Sequence, residues 1–178
     1  SRVEELVEEL KRLLRTVEKE NEDSIREIER LLREVKRRNE ESSREDEKTI
    51  RTVRREVRGE ELIEEVRDRS RKSLDDDRKL IEDIKRRLEK LLREDEELIK
   101  EIRDRARRIL EKIKRELREK RAEEILERLR KEAEEVLKKL EDTLRELRKR
   151  AEKVLRDMEE TLKKNKKDNE KVLRDLRK

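Results

Sequence analysis

The sequence predicts an all-α fold: one domain over residues 1–178, built as an elongated, antiparallel, up-down-up bundle of three straight helices. Three observations predict it. The composition suits long helices and little else, the apolar residues return at a fixed helical interval, and their phase breaks at two places that cut the chain into near-equal thirds.

Of the 178 residues, 62% are charged and 29% hydrophobic, with no Phe, Trp, Tyr, Cys, His or Pro and a single Gly. High charge with low hydrophobicity often leaves a chain disordered, because too little apolar surface is buried to offset conformational entropy. Here the charges nearly cancel, to +5, and the apolar residues are Leu, Ile and Val at regular spacing. Glu, Lys, Arg and Leu in that pattern signal long helices. The scarcity of Pro and Gly agrees, since inside a helix they cost about 3 and 1 kcal/mol.

The first helix is expected at about residues 2–58. Within it LLRTVEKEN at 13–21 recurs as LLREVKRRN at 31–39 and TIRTVRREV at 49–57. The interval of eighteen residues equals about five turns at 3.6 residues per turn, so the apolar stripe returns to one angular position without drift. Such a repeat predicts straight helices. Ser1 followed by Glu4 makes a capping box at its start.

Adjacent stripe positions at 24/25, 31/32 and 42/43 predict the next pair at 60/61, yet the chain supplies Leu62 and Ile63. A slip of two residues turns the stripe by about 200°, which a continuous helix cannot absorb. Gly59 stands at the slip, where a left-handed C-terminal cap favours it. The second helix, about 61–118, repeats LIEEVRDRS, LIEDIKRRL and LIKEIRDRA. Its phase predicts 127/128 but the chain delivers Ile125 and Leu126, which places a second turn near 118–122 and the third helix at about 122–177. The three segments open with VEEL, GEEL and AEEI and close on Arg or Lys, the charge order that the helix dipole favours.

The stripe is not apolar throughout. If Val57 faces Leu62 across the first turn, the first two helices pair where residue numbers add to about 119; if Ile113 faces Leu126, the second and third pair at about 239. NEESSREDEKTI at 39–50 then puts Ser42, Ser43, Asp46 and Thr49 level with Ser70, Ser73 and Asp77 on the second helix and with Thr161, Asn165 and Asn169 on the third. The repeat supplies Ile113 where it has Asp77 and Asp95, and Leu147 where it has Asn165. A smaller second layer joins Ser24, Asp95 and Thr143, with Asn21 beside it. A buried polar group left unpaired costs about 1–3 kcal/mol, so the expected arrangement is two hydrogen-bonded networks that fix register.

Rival readings of these residues are weaker. A hard cation could use the Asp and Asn oxygens, but no loop of the right geometry accompanies them, so no metal is expected. An acid/base pair at Asp46 and Asp77 would lie inside a rod without a cleft. Catalysis lacks its usual side chains: there is no His, Cys or Tyr, and Ser without a base is no nucleophile. No catalytic residue and no cofactor is therefore expected. The last eighteen residues, with 8 basic and 3 acidic side chains, form a basic tip. It reads as a solvated helix end rather than a nucleic-acid site, since no aromatic stacking platform accompanies it. No apolar run approaches 18 residues and SRVEELVEEL is no signal peptide, so a soluble chain without a membrane span is expected, its compartment undetermined.

The LIEEVRDRS/LIEDIKRRL/LIKEIRDRA repeat, the polar layers and a surface of Glu, Lys, Arg and Asp resemble computationally designed parametric helical bundles, in particular the straight eighteen-residue-repeat type with buried hydrogen-bond networks. The resemblance spans the chain, except that LREKRAEE is unlike a designed loop. It implies a structural scaffold with no natural substrate, cofactor or required partner. Two other classes stay open: an interaction module that offers a groove to a partner helix or self-associates into a homo-oligomer, and a natural spectrin-like rod.

Overall fold

The computed structural model describes residues 1–56, 60–117 and 122–177, with side chains for 1–55, 63–117 and 122–175. Three α-helices account for these residues: α1 (Arg2–Glu56), α2 (Glu60–Glu116) and α3 (Ala122–Arg177). No strand occurs among the described residues. Gly59 and the turn expected at 118–122 fall outside them, apart from Ala122, the first residue of α3.

The helix ends follow from local chemistry. The Glu4 amide donates to the Ser1 hydroxyl at 3.3 Å and the Glu4 carboxylate lies 3.7 Å from the Ser1 ammonium, so both arms of a capping box are in place. Acidic Glu4 and Glu5 open α1 and Glu123 and Glu124 open α3; Arg54 and Arg55 close α1, and Lys114 and Arg115 close α2. Each charge faces the opposite end of a helix dipole.

The chain divides into two compact units, each drawing on all three helices: Ser1–Glu29 with Glu89–Lys149, and Arg30–Leu88 with Arg150–Lys178. In the first, the stripe residues Leu6, Leu10, Val17, Ile99, Ile113 and Leu137 are all but fully buried. Ion pairs of Arg103 with Glu134 and Glu141, and of Arg148 with Glu96, tie α2 to α3 there and run in opposite directions along the two helices. That is the antiparallel register of an up-down-up bundle.

In the second unit the apolar core has a gap. No apolar residue is buried between Val35 and Val53 on α1, between Ile63 and Ile81 on α2, or between Leu162 and Val172 on α3. On one side of it Leu32, Val35, Leu88 and Met158 exclude solvent almost completely, and on the other Val53, Ile63 and Val172 are buried. Into the gap the three helices insert Ser42, Asp77 and Asn165, all buried.

Stripe position sets the energetic weight of a residue. Leu88 is fully buried and Leu91 lies half-buried at the edge of the stripe. Leu88→Ala is expected to lower the unfolding free energy by about 2–5 kcal/mol through lost transfer energy and the cavity left behind, and Leu91→Ala by less than half of that. Urea denaturation of the two variants checks this; equal losses would contradict the burial pattern.

Candidate functional site

The polar level of the second unit is organised around one carboxylate. Asp77, 1% exposed, receives the Arg38 guanidinium on Oδ1, with Nε at 2.9 Å and Nη2 at 2.7 Å. Its other oxygen, Oδ2, accepts from the Ser42 hydroxyl at 3.1 Å. Ser42 and Asp77 obey the register of about 119 set at the first turn. Arg38, four residues earlier on α1, stands one helical turn from Ser42 on the same face, and its aliphatic stem carries the charge inward from a half-exposed position. The hydrogen bond to Asp77 raises the Arg38 pKa further, against the cost of its partial burial.

Asn165 extends the chain of bonds to α3 and can do so in two ways. With Nδ2 toward α1 it donates to the Ser42 hydroxyl at 3.1 Å and lies 3.5 Å from the Ser42 carbonyl. With the amide turned over, Nδ2 donates to the Thr161 carbonyl at 3.2 Å and to Asp46 Oδ2 at 3.3 Å, and Oδ1 accepts from Ser42 at 3.1 Å. Ser42 has a single proton, so it cannot donate to Asn165 and Asp77 together. Ionised Asp46 has only acceptors and favours the turned amide.

The Asp46 carboxyl beside Asn165 holds its proton more tightly than an exposed one. Burial, aided by the charge of Asp168, pushes Asp46 up to about 6, against a hydrogen bond from Asn169 and the charge of Lys164. One Asp46 oxygen is buried without a hydrogen-bond partner. Beside it opens a cavity of about 320 Å³ lined by Ser42, Asp46, Thr49, Ser70, Ser73, Asn165 and Asn169. A cleft at Asp46 departs from the closed rod expected of the spacing: Ser and Thr are too short to fill the volume that Leu occupies elsewhere in the stripe. Thr49, Ser70 and Asn169 are half-buried around it and Ser73 is exposed at its rim. Thr161 turns its hydroxyl back to the Asp157 carbonyl at 2.9 Å, and Ser43, half-buried, makes no hydrogen bond to a described residue.

The second set of polar residues, in the first unit, has a different character. Asp95 is 4% exposed, and burial pushes its carboxyl up to about 6 against a hydrogen bond from Ser24. One Asp95 oxygen is unpartnered. Asn21 is fully buried with neither amide atom hydrogen-bonded. Thr143, like Thr161, satisfies its hydroxyl on its own helix, at the Lys139 carbonyl, 2.9 Å away. No cation comparable to Arg38 bonds to Asp95 among the described residues.

Among the described residues no group of three or more His, Cys, Asp or Glu could hold a metal ion, and no helix is long and apolar enough to cross a membrane. The residue that sequence spacing missed is Arg38. Its signal was present: a carboxylate at a core position demands a cation, and Arg38 is the basic residue one turn from Ser42 on the facing stripe.

Two predictions follow the geometry. Asp46 and Asp95 hold their protons more tightly in the fold, at about 6, than at the ordinary value of 3.8. Folding therefore takes up protons between these values: stability is greatest below about pH 4, falls as pH rises, and levels off above about 6. With allowance for solvent screening the loss is about 1 kcal/mol per group. Asp46→Asn with Asp95→Asn should remove that component from the urea-denaturation profile; an unchanged difference between pH 4 and pH 7 would contradict the assignment. Asn21→Leu, which deletes two unpaired buried groups, should stabilise by about 1–3 kcal/mol in thermal unfolding, where a loss would reveal a partner.

No protein-family model matches the sequence, and no curated protein matches it. A solved structure described as a computationally designed three-helix bundle is similar to it with a TM-score of 0.56 and 21% identity, over 98% of this chain and 87% of the other. At that identity the likeness concerns the fold, and in fold this chain is a three-helix bundle.

Proposed function

We propose that the chain is a de novo designed structural scaffold whose polar level in the second unit specifies which residues of the three helices meet. The observation that carries this reading is the run of close polar contacts Arg38–Asp77, Asp77–Ser42 and Ser42–Asn165, which links α1, α2 and α3 at the one level of that unit where the apolar core is interrupted. The eighteen-residue repeat and the fold shared with a designed three-helix bundle support a designed origin. An apolar stripe alone would tolerate sliding by a turn or by the repeat, since each Leu, Ile or Val meets another in the shifted register. A buried carboxylate does not tolerate it: displaced by a turn, Asp77 would lose both its guanidinium and its hydroxyl. The level thus exchanges some stability for uniqueness of pairing. The scaffold reading assigns the chain no catalytic centre and requires no cofactor or partner.

Comparison of a single change with a change of the whole level tests the reading. Asp77→Ala leaves Arg38 and Ser42 without their shared acceptor and should destabilise by about 3–5 kcal/mol. Replacing Arg38, Ser42, Asp77 and Asn165 together by Met or Leu should leave stability equal or higher, by up to about 4 kcal/mol, while relaxing register. Denaturant unfolding reads the first effect; size-exclusion chromatography with light scattering reads the second, as mixed oligomers in place of a 22.1 kDa monomer. If both variants lose stability alike, the network is not what holds the level. If the parent chain is itself a stable dimer or larger assembly, an interaction module replaces the scaffold as the reading.

A further inference from the structure

The second unit carries, on the outer side of α2 and α3, a groove of about 440 Å³ that the polar level does not use. Its walls present five cations, Arg67, Arg71, Arg78, Lys166 and Arg174, against two carboxylates, Asp75 and Glu170. Leu74 and Leu173 form an apolar floor. This balance is unusual for the molecule, whose 58 basic and 53 acidic residues otherwise nearly cancel. The cations are also unspent. Among the described residues none of Arg71, Arg78, Lys166 and Arg174 has an ion-pair partner within 4.0 Å, although i,i+3 and i,i+4 pairs occupy many other surface charges. Arg67 reaches Asp68 only at 3.6 Å, and its Nε is buried with no acceptor.

We propose that this groove is a binding site for a compact multivalent anion of the oligophosphate class. Guanidinium groups offer planar pairs of donors that match phosphate oxygens, and four of the five cations are Arg. The excess of positive charge calls for a ligand with several negative charges, and the low-dielectric floor strengthens their attraction. The lining of α2 runs from Arg67 to Arg78, about 16 Å of helix, which suits a short phosphate chain. No aromatic residue exists to stack a base, so the phosphates carry the recognition.

Isothermal titration of the full chain with inorganic triphosphate at low ionic strength tests the proposal, with ATP as a second arm. One triphosphate should bind per chain, and ATP should bind within about threefold of it, since only the phosphate chain is read. Arg71→Gln with Arg174→Gln, both exposed, should weaken binding by about tenfold or more. Lys138→Gln with Lys139→Gln removes the same charge from a surface where those two lysines face Glu135, Asp142 and Glu146, and should change affinity by less than about twofold. Equal weakening by the two double variants, absence of binding, or a strong preference for ATP would each overturn the assignment.

Discussion

The constraint on which the second unit depends is that a carboxylate excluded from water must be neutralised and fully hydrogen-bonded where it lies. Asp77 is almost wholly buried, and it meets that requirement with the Arg38 guanidinium on one oxygen and the Ser42 hydroxyl on the other. Each bond fixes a neighbour. On the proposed reading Arg38 sets the rotation of α1 about its own axis and Ser42 the level at which α1 meets α2, while Asn165 of α3 meets the Ser42 hydroxyl. Leu, Ile and Val supply most of the driving force for assembly, but they are interchangeable along the repeat. The ionic and polar contacts are not, and the proposed scaffold reading rests on that difference.

The first unit shows what happens where that requirement is only half met. Asp95 has Ser24 and no guanidinium, so its carboxyl rises and one oxygen stays unpaired; Asn21 has no partner for either amide atom. The two units share residue types and helical spacing, yet they differ by one long cationic side chain placed a turn from the core. Polar residues at stripe positions are therefore not equivalent, and their effect on stability takes its sign from the partner rather than from burial. In the second unit, Asp46 adds a carboxyl whose pKa burial raises, at the edge of the network.

Much of the fold was legible because the repeat is commensurate with the helix. Eighteen residues return a stripe to its own angle, so the phase of Leu62 and of Ile125 located the breaks between helices without any turn residue beyond Gly59. The pairing of Ser42 with Asp77 was legible by the same arithmetic. Arg38 was not, because it is one of 58 basic residues and Arg37 beside it has the same side chain, so that only its place one turn before Ser42 distinguishes it. The threonines were misleading for another reason: Thr143 and Thr161 can satisfy their hydroxyls on the carbonyl four residues back, an option open to any Thr within a helix, and they take it. Ser73 and the cavity beside Asp46 depend on side-chain volume, which polarity patterns do not encode.

The coupling between Arg38 and Asp77 is the most direct measure of whether this account is right. In a double-mutant cycle with Arg38→Met and Asp77→Leu, read by denaturant unfolding, the first change leaves the buried Asp77 without its cation, the second leaves half-exposed Arg38 with only Glu41 at 3.6 Å, and the double change leaves neither charge. The account predicts strong non-additivity, an interaction of about 1–3 kcal/mol, with the double variant more stable than either single variant. Additive losses would mean that the two residues do not depend on one another, and that the register of the three helices is held by the apolar stripe alone.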